Sequence, residues 1–234
     1  SKVVQFFSNF QTAFNPQIVK YYAEGKKEEF FKLIYRSSRL SYYLMFIVSF
    51  PLMLKIDEVL NLWLVDVPKF TGIFCQLILV FYLIEAVNGP LWMSVQATGK
   101  IKTYQLLVSI VNFINLPIIY ICLKVGFPVW TVWAVRIVID IAIYIVRCIY
   151  LKINLGMPLY QYYKEVLQPV LLVTVISLPL PILFEENIKG YWINLFGSLS
   201  LSVICAFFAI VYLGLKKNER EKIKSLVEAK LKRA

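Results

Sequence analysis

Along the chain, apolar residues gather in blocks of about 20, the length an α-helix needs to cross a ~30 Å hydrocarbon core. Seven blocks stand out, at approximately Ser1–Tyr22, Leu33–Leu54, Phe70–Val95, Tyr104–Leu123, Pro128–Leu151, Val166–Leu183 and Tyr191–Leu215. Between them stand chain breakers and charge: Gly25 with Lys26 and Lys27, Asp66 to Lys69, Gly99-Lys100, Gly126 to Pro128, Gly156 to Pro158, and Glu185 to Gly190. No soluble domain, low-complexity tract or long linker interrupts the series. The pattern predicts an all-α membrane protein, a polytopic helical bundle of about seven transmembrane helices.

The first block differs from the rest. On a helix over residues 1–16, Lys2, Gln5, Ser8, Asn9, Thr12 and Asn15 recur at spacings of three and four, and Val3, Val4, Phe6, Phe7, Phe10, Ala13 and Phe14 cover the remainder. Such a stripe marks an amphipathic helix. Unsatisfied polar groups in lipid cost several kcal/mol each, so the stripe must face protein or water. A helix–helix interface joined by amides is one reading, each such bond contributing ~0.6 kcal/mol. A wet cavity is the other, and six polar residues suit it better than one or two would. Pro16 removes a backbone hydrogen bond and is expected to kink the helix, leaving Lys20 near the lipid head groups.

Composition agrees with this picture. Of 234 residues, 59% are hydrophobic, against about 45–50% in a soluble domain. The net charge of +11 is distributed by topology. Counted on alternate sides of the seven blocks, 19 Lys and Arg fall on one side, including eight from Lys216 onward, and only Lys55, Lys69, Lys124 and Lys189 on the other. Basic residues favour cytoplasmic loops, so the C-terminus is expected inside. Charge split among short loops and one tail argues against a nucleic-acid partner. The chain has no histidine, which removes His-based acid–base chemistry and His metal ligation from it. Cys75, Cys122, Cys148 and Cys205 are scattered through apolar blocks and read as packing residues. No nucleophile motif, paired catalytic carboxylates or glycine-rich phosphate loop points to an enzyme, and no metal or cofactor is called for. Neither an initiator Met nor a signal-peptide pattern opens the sequence, and Ser1 reads as the middle of a helix. An N-terminal part is therefore expected to precede it.

Several polar groups lie inside the apolar blocks. Glu85 and Asn88 stand just before Gly89-Pro90. An intramembrane carboxylate marks a functional candidate, here a proton carrier, with a bond to a neighbouring helix as the plainer role. Arg136 and Asp140 are one turn apart, and mutual neutralisation would lower their cost of burial. Asp140 joins Glu85 as a candidate for proton or ion coupling. Arg147 is expected to snorkel to the interface. Asn112, Asn115 and Pro117 suggest packing or a kink. Lys32, Arg36 and Arg39 recur on one helical face, where they could hold a phosphate or anchor the helix at the interface. Trp63, Trp130, Tyr160 and Trp192 read as aromatic belts. In the tail, Ile223, Leu226, Val227 and Leu231 form a short apolar side of a basic helix, suited to the inner leaflet or to solvent.

Three stretches carry a resemblance: NPQIVKYYAEGKKEEFFKLIYRSSR (15–39), LNLWLVDVP (60–68) and QATGKIKTYQ (96–105). Together they resemble the polysaccharide-biosynthesis flippases, the Wzx-like proteins of the multidrug/oligosaccharidyl-lipid/polysaccharide exporter superfamily, over most of the chain. The resemblance implies a two-lobe, MATE-like transporter of the bacterial inner membrane, often with fourteen spans, of which this chain would be the C-terminal lobe. Residues 1–151 would be the lobe core, 152–215 two peripheral spans, and 216–234 a basic cytoplasmic tail. It further implies a lipid-linked oligosaccharide substrate, an undecaprenyl-pyrophosphate glycan unit moved by alternating access for surface polysaccharide such as O-antigen or lipopolysaccharide. Gln5, Asn9, Thr12 and Asn15 would then contact the head group, with Lys20, Arg36 and Arg39 supplying charge near the entrance. Implied partners are membrane lipids, an N-terminal lobe, and a polysaccharide polymerase and glycosyltransferases. A multidrug or metabolite exporter of the same superfamily, or a membrane scaffold acting through the basic tail, are the alternatives.

Overall fold

The computed structural model describes residues 9–187 and 190–221. Among them the chain is helical, with no strand. Residues 9–12 are helical and are followed by α1 (Asn15–Ala23), α2 (Lys27–Leu54), α3 (Ile56–Trp63), α4 (Thr71–Ala97), α5 (Ile101–Val125) and α6 (Thr131–Leu155). Then come α7 (Leu159–Tyr162), a π-helical turn (Tyr163–Leu167), α8 (Gln168–Ser177), α9 (Pro179–Asn187), α10 (Tyr191–Ala209) and a second π-helical turn (Ile210–Gly214).

Four helical stretches are long and apolar enough to cross a membrane: 71–97, 101–125, 159–183 and 191–214. The helices α2 and α6 match them in length, at 28 and 25 residues. Both carry internal polar residues, Ser37 to Ser41 in α2 and Arg136, Asp140 and Arg147 in α6.

The first predicted block is not one continuous helix. It breaks at Ala13-Phe14, where Phe14 N–H bonds Gln11 C=O rather than a carbonyl four residues back. Pro16, at the start of α1, has no N–H to continue the ladder. At the other end of α1, Gly25 adopts a left-handed conformation (φ +69°). There Lys26 N–H reaches Tyr21 C=O and Gly25 N–H reaches Tyr22 C=O, the paired bonds of a glycine-terminated helix end. The short α3 was not expected from the hydropathy blocks. It folds onto the start of α4, where Asp57 fills the space that a side chain on Gly72 would need.

At the centre lies α2. It packs against α4 on one side and α10 on another, and also meets α1, α8 and the first π turn. Next to α4 comes α6, and α5 packs on α6 at the periphery. Fifteen of the 28 residues of α2 are buried, five of them Ser or Arg. Small side chains let helix backbones approach closely where lipid offers no hydrophobic drive. Ser37 and Ser49 return their hydroxyl protons to their own helix, at Ile34 O (3.0 Å) and Met45 O (2.8 Å). Stacked rings of Tyr42, Phe46 and Phe50 run down the same helix, with centroids 5.6 and 5.0 Å apart.

Candidate functional site

Around the Gly89-Pro90 step in α4, a polar cluster lies inside the bundle. Pro90 lacks an N–H, so the carbonyl four residues earlier, on Ala86, loses its helical partner. Gln11 supplies the replacement: its Nε2 donates to Ala86 O at 3.0 Å, with the side chain buried. Gly89 makes the space, since a Cβ at that position would collide with the Gln11 amide. A buried carbonyl left unpaired costs about 1–3 kcal/mol, so Gln11 ties the first helical segment to the break in α4.

One turn along α4 lie Glu85 and the fully buried Asn88. The Asn88 Nδ2 approaches Glu85 Oε1 at 3.5 Å, at the outer limit of a hydrogen bond. Across the α4–α6 contact, the Asp140 carboxyl faces that of Glu85. Asp140 Oδ2 and Asn88 Oδ1 are both buried acceptors without a hydrogen-bond donor. Two carboxyl groups in low-dielectric surroundings repel unless a positive charge comes between them. The sequence offered Glu85 and Asp140 as separate coupling candidates, and the fold brings them together.

The arginines of α6 depart from expectation. Arg147 does not snorkel. It turns inward and is buried, with Nε donating to Tyr104 Oη at 2.6 Å and Nη1 to Asn88 O at 3.0 Å. Its guanidinium also lies 5.7 Å from the ring centroids of Trp92 and Tyr104. Charge-assisted hydrogen bonds and ring faces offset its desolvation, where an isolated buried cation would be costly. Arg136 acts on Asp140 through its charge without touching it. Its Nη1 donates to Asn112 Oδ1 of α5 at 2.8 Å, and its guanidinium stacks 5.6 Å from the Phe81 ring centroid. Asn112, Tyr104 and Trp92, which the sequence reading gave no site role, thus hold both cations.

The predicted head-group residues lie elsewhere. Gln5, with Lys2 and Ser8, falls outside the described residues. Asn9 and Thr12 are exposed on the side away from Gln11, with Thr12 Oγ1 donating to Asn9 O at 3.0 Å. Asn15 is half-buried at the start of α1. Asn9 and Thr12 therefore face outward from this bundle instead of lining a cavity within it. Lys20 is exposed and 3.8 Å from Glu24.

Arg36 and Arg39 are not presented together as free cations near an entrance. Both are tied to Glu219 at the start of the tail, through Arg36 Nε (3.1 Å to Oε1) and Arg39 Nη2 (2.6 Å to Oε2). Arg39 is among the largest fully enclosed side chains of the molecule. The apolar side of the tail, Ile223 to Leu231, lies outside the described residues. Cys75, Cys122, Cys148 and Cys205 are free thiols. Among the described residues, no group of three His, Cys, Asp or Glu side chains could hold a metal ion.

Compared with known proteins, the chain matches no family description, no curated protein and no solved structure.

Proposed function

We propose that this chain is the C-terminal lobe, of about seven spans, of a MATE-like transporter that moves a lipid-linked oligosaccharide across the bacterial inner membrane. One arrangement carries the reading. Asn9 and Thr12 are exposed on one side of the first helical segment, while Gln11 on the other side plugs the break in α4, one turn from the Glu85–Asp140 pair. A sugar–pyrophosphate head group would lose many hydrogen bonds in hydrocarbon, each costing several kcal/mol. Outward-facing Asn9 and Thr12 support a passage shared with a second lobe, through which the head group crosses while the lipid tail stays in the bilayer.

Glu85 and Asp140 are the coupling element in this reading. A proton or other cation held between them relieves their repulsion, and its loss pushes α4 from α6. Since Gln11 hydrogen-bonds the backbone of α4, such a movement passes to the segment bearing Asn9 and Thr12. Membrane potential adds about 2.3 kcal/mol per charge per 100 mV to any cation movement. Lys20 contributes charge at the basic end, which the Lys and Arg asymmetry assigns to the cytoplasm.

The test is translocation of a labelled undecaprenyl-pyrophosphate oligosaccharide by the full-length protein in proteoliposomes. Glu85→Gln and Asp140→Asn should each slow it by at least about tenfold, the rate equivalent of ~1.4 kcal/mol. Unchanged rates in both variants would remove the acid pair from the mechanism. Export of small drugs with no movement of the glycan lipid would move the chain to the exporter alternative.

A further inference from the structure

Between the ends of α2 and α4 lies a surface that the transport reading does not use. In α3, Ile56, Val59, Leu60 and Trp63 fall at the i, i+3, i+4 and i+7 positions of one helical stripe. Ile56 and Leu60 are buried, but the stripe runs off the edge of the bundle. Trp63 is 83% exposed, Val65 beyond it is fully exposed, and Leu62 and Leu64 are exposed beside them. This rim has a firm mount. The Asp57 carboxylate fills the space at Gly72, in the first turn of α4, where the positive end of the helix favours it. Gln76 of α4 donates from Nε2 to Met53 O, near the end of α2, at 3.1 Å. Lys55, at the junction of α2 and α3, is buried with its Nζ 3.1 Å from Glu58 Oε1. Leu62 and Trp63 are thus carried on a platform tied to both neighbouring helices.

Four consecutive apolar side chains left in water would make an adhesive patch. Their level in the molecule supplies the cover. The span α4 begins at Thr71, and α3 folds onto that start, where hydrocarbon gives way to head groups. Eight residues are too few to cross a membrane, and Asp57, Asn61 and Asp66, all exposed, bar deeper burial. Ile73, in the first turn of α4, is exposed as well, so the apolar rim adjoins a span that turns apolar side chains outward. Lys55 and Glu58 neutralise each other. The exposed charges from Lys55 to Phe70 are then Asp57, Asp66 and Lys69, two acids against one base. Attraction to anionic lipid cannot hold such a segment, whereas apolar insertion can.

We propose that α3 and residues 62–65 form an interfacial wedge, with Leu62, Trp63, Leu64 and Val65 inserted among the lipid chains of the outer leaflet. The partner is the hydrocarbon edge of the bilayer, whatever its head groups. The Lys and Arg asymmetry assigns this end of the bundle to the non-cytoplasmic side. An indole suits the boundary, since its ring prefers the apolar layer and its N–H a polar partner. Through the Asp57–Gly72 and Gln76–Met53 contacts the wedge holds the outer ends of α2 and α4 at one depth. The proposal rests on the bundle crossing a membrane and not on what it carries.

Nitroxide labels on the full-length protein in nanodiscs, with the native cysteines replaced, test it. Labels at Leu62→Cys, Trp63→Cys and Val65→Cys, all exposed positions, should collide more often with oxygen, which concentrates in hydrocarbon, than with a water-soluble nickel chelate. Their depth should be ~5–10 Å within the head-group boundary. A label at Asp66→Cys should show the reverse order of collisions. Phosphatidylcholine and phosphatidylglycerol nanodiscs should give the same depths. In intact cells, Asp66→Cys should react with a membrane-impermeant thiol reagent added outside. Nickel-dominated collisions at Leu62→Cys, Trp63→Cys and Val65→Cys would mean that water covers the rim, and exclusion of both reagents would mean that another lobe or a second copy does. Either result overturns the proposal, as does insertion in phosphatidylglycerol alone, or reaction of Asp66→Cys only after the cells are permeabilised.

Discussion

The central helix α2 and the peripheral helix α5 invert the rule that governs soluble proteins. In α5, Leu106, Ile110, Phe113, Leu116 and Ile121 are all exposed on the bundle surface, and only Tyr104 and Val108 of its 25 residues are buried. In α2, 15 of 28 residues are buried, among them Ser37, Ser38, Arg39, Ser41 and Ser49. Where the surroundings are apolar, an exposed Ile loses nothing, and hydrophobicity no longer sorts residues inward. Small side chains, hydroxyls and paired charges then select the centre. Polar residues in such a chain mark contact or function, and the least membrane-like of the long segments, α2, is the one that packs against both α4 and α10.

This contrast can be broken most severely at Arg39. Arg39→Ala removes the enclosed partner of Glu219 and leaves that carboxylate to the half-exposed Arg36, so thermal unfolding in detergent should show a loss of about 3 kcal/mol, the lower end for breaking a buried pair. A smaller effect is expected at the junction with α4. Gln11→Ala strands the Ala86 carbonyl and should cost about 1–3 kcal/mol. Pro90→Ala restores a backbone N–H at that carbonyl, so in the double variant the cost of losing Gln11 should shrink, a coupling that a double-mutant cycle measures. The smallest effects belong to α5. Ile110→Ala and Phe113→Ala should each stay within about 0.5 kcal/mol, as at positions without structural partners. A large loss at Phe113 would mean that α5 is covered by another protein surface, and the contrast with α2 would then narrow.

Much of the architecture was legible in hydropathy. The blocks at Phe70–Val95 and Tyr104–Leu123 became α4 and α5 with ends shifted by one to three residues. The short α3 escaped notice because its eight residues are far fewer than a span needs and Asp57, Glu58 and Asn61 interrupt its apolar positions. The break at Ala13-Phe14 was foreshadowed by Pro16, though as a kink. For the site, intramembrane charge offered Glu85 and Asp140 as separate candidates and not as neighbours, since periodicity within helices says nothing about which helices meet. Gln11 was missed. It belongs neither to the polar stripe nor to the phenylalanine side as spacing draws them, and only an unpaired carbonyl implied by Pro90 could have pointed to it. Arg147 was misjudged because snorkelling assumes lipid on all sides, whereas Tyr104 and Trp92 from neighbouring helices give it a closer partner. Glu219 held no local signal: its role arises from a contact with a helix 180 residues earlier in the chain.

The most direct measurement of the central claim, that outward-facing Asn9 and Thr12 border a solvated passage, is thiol accessibility in the full-length protein. Cysteines placed at Asn9, Thr12 and Phe113, in a background with the four native cysteines replaced, would be exposed to a small membrane-impermeant thiol reagent. The stripe positions should react and the α5 position should not. If Asn9→Cys and Thr12→Cys stay as unreactive as Phe113→Cys in every transport state, the stripe faces no water and the transport reading is contradicted.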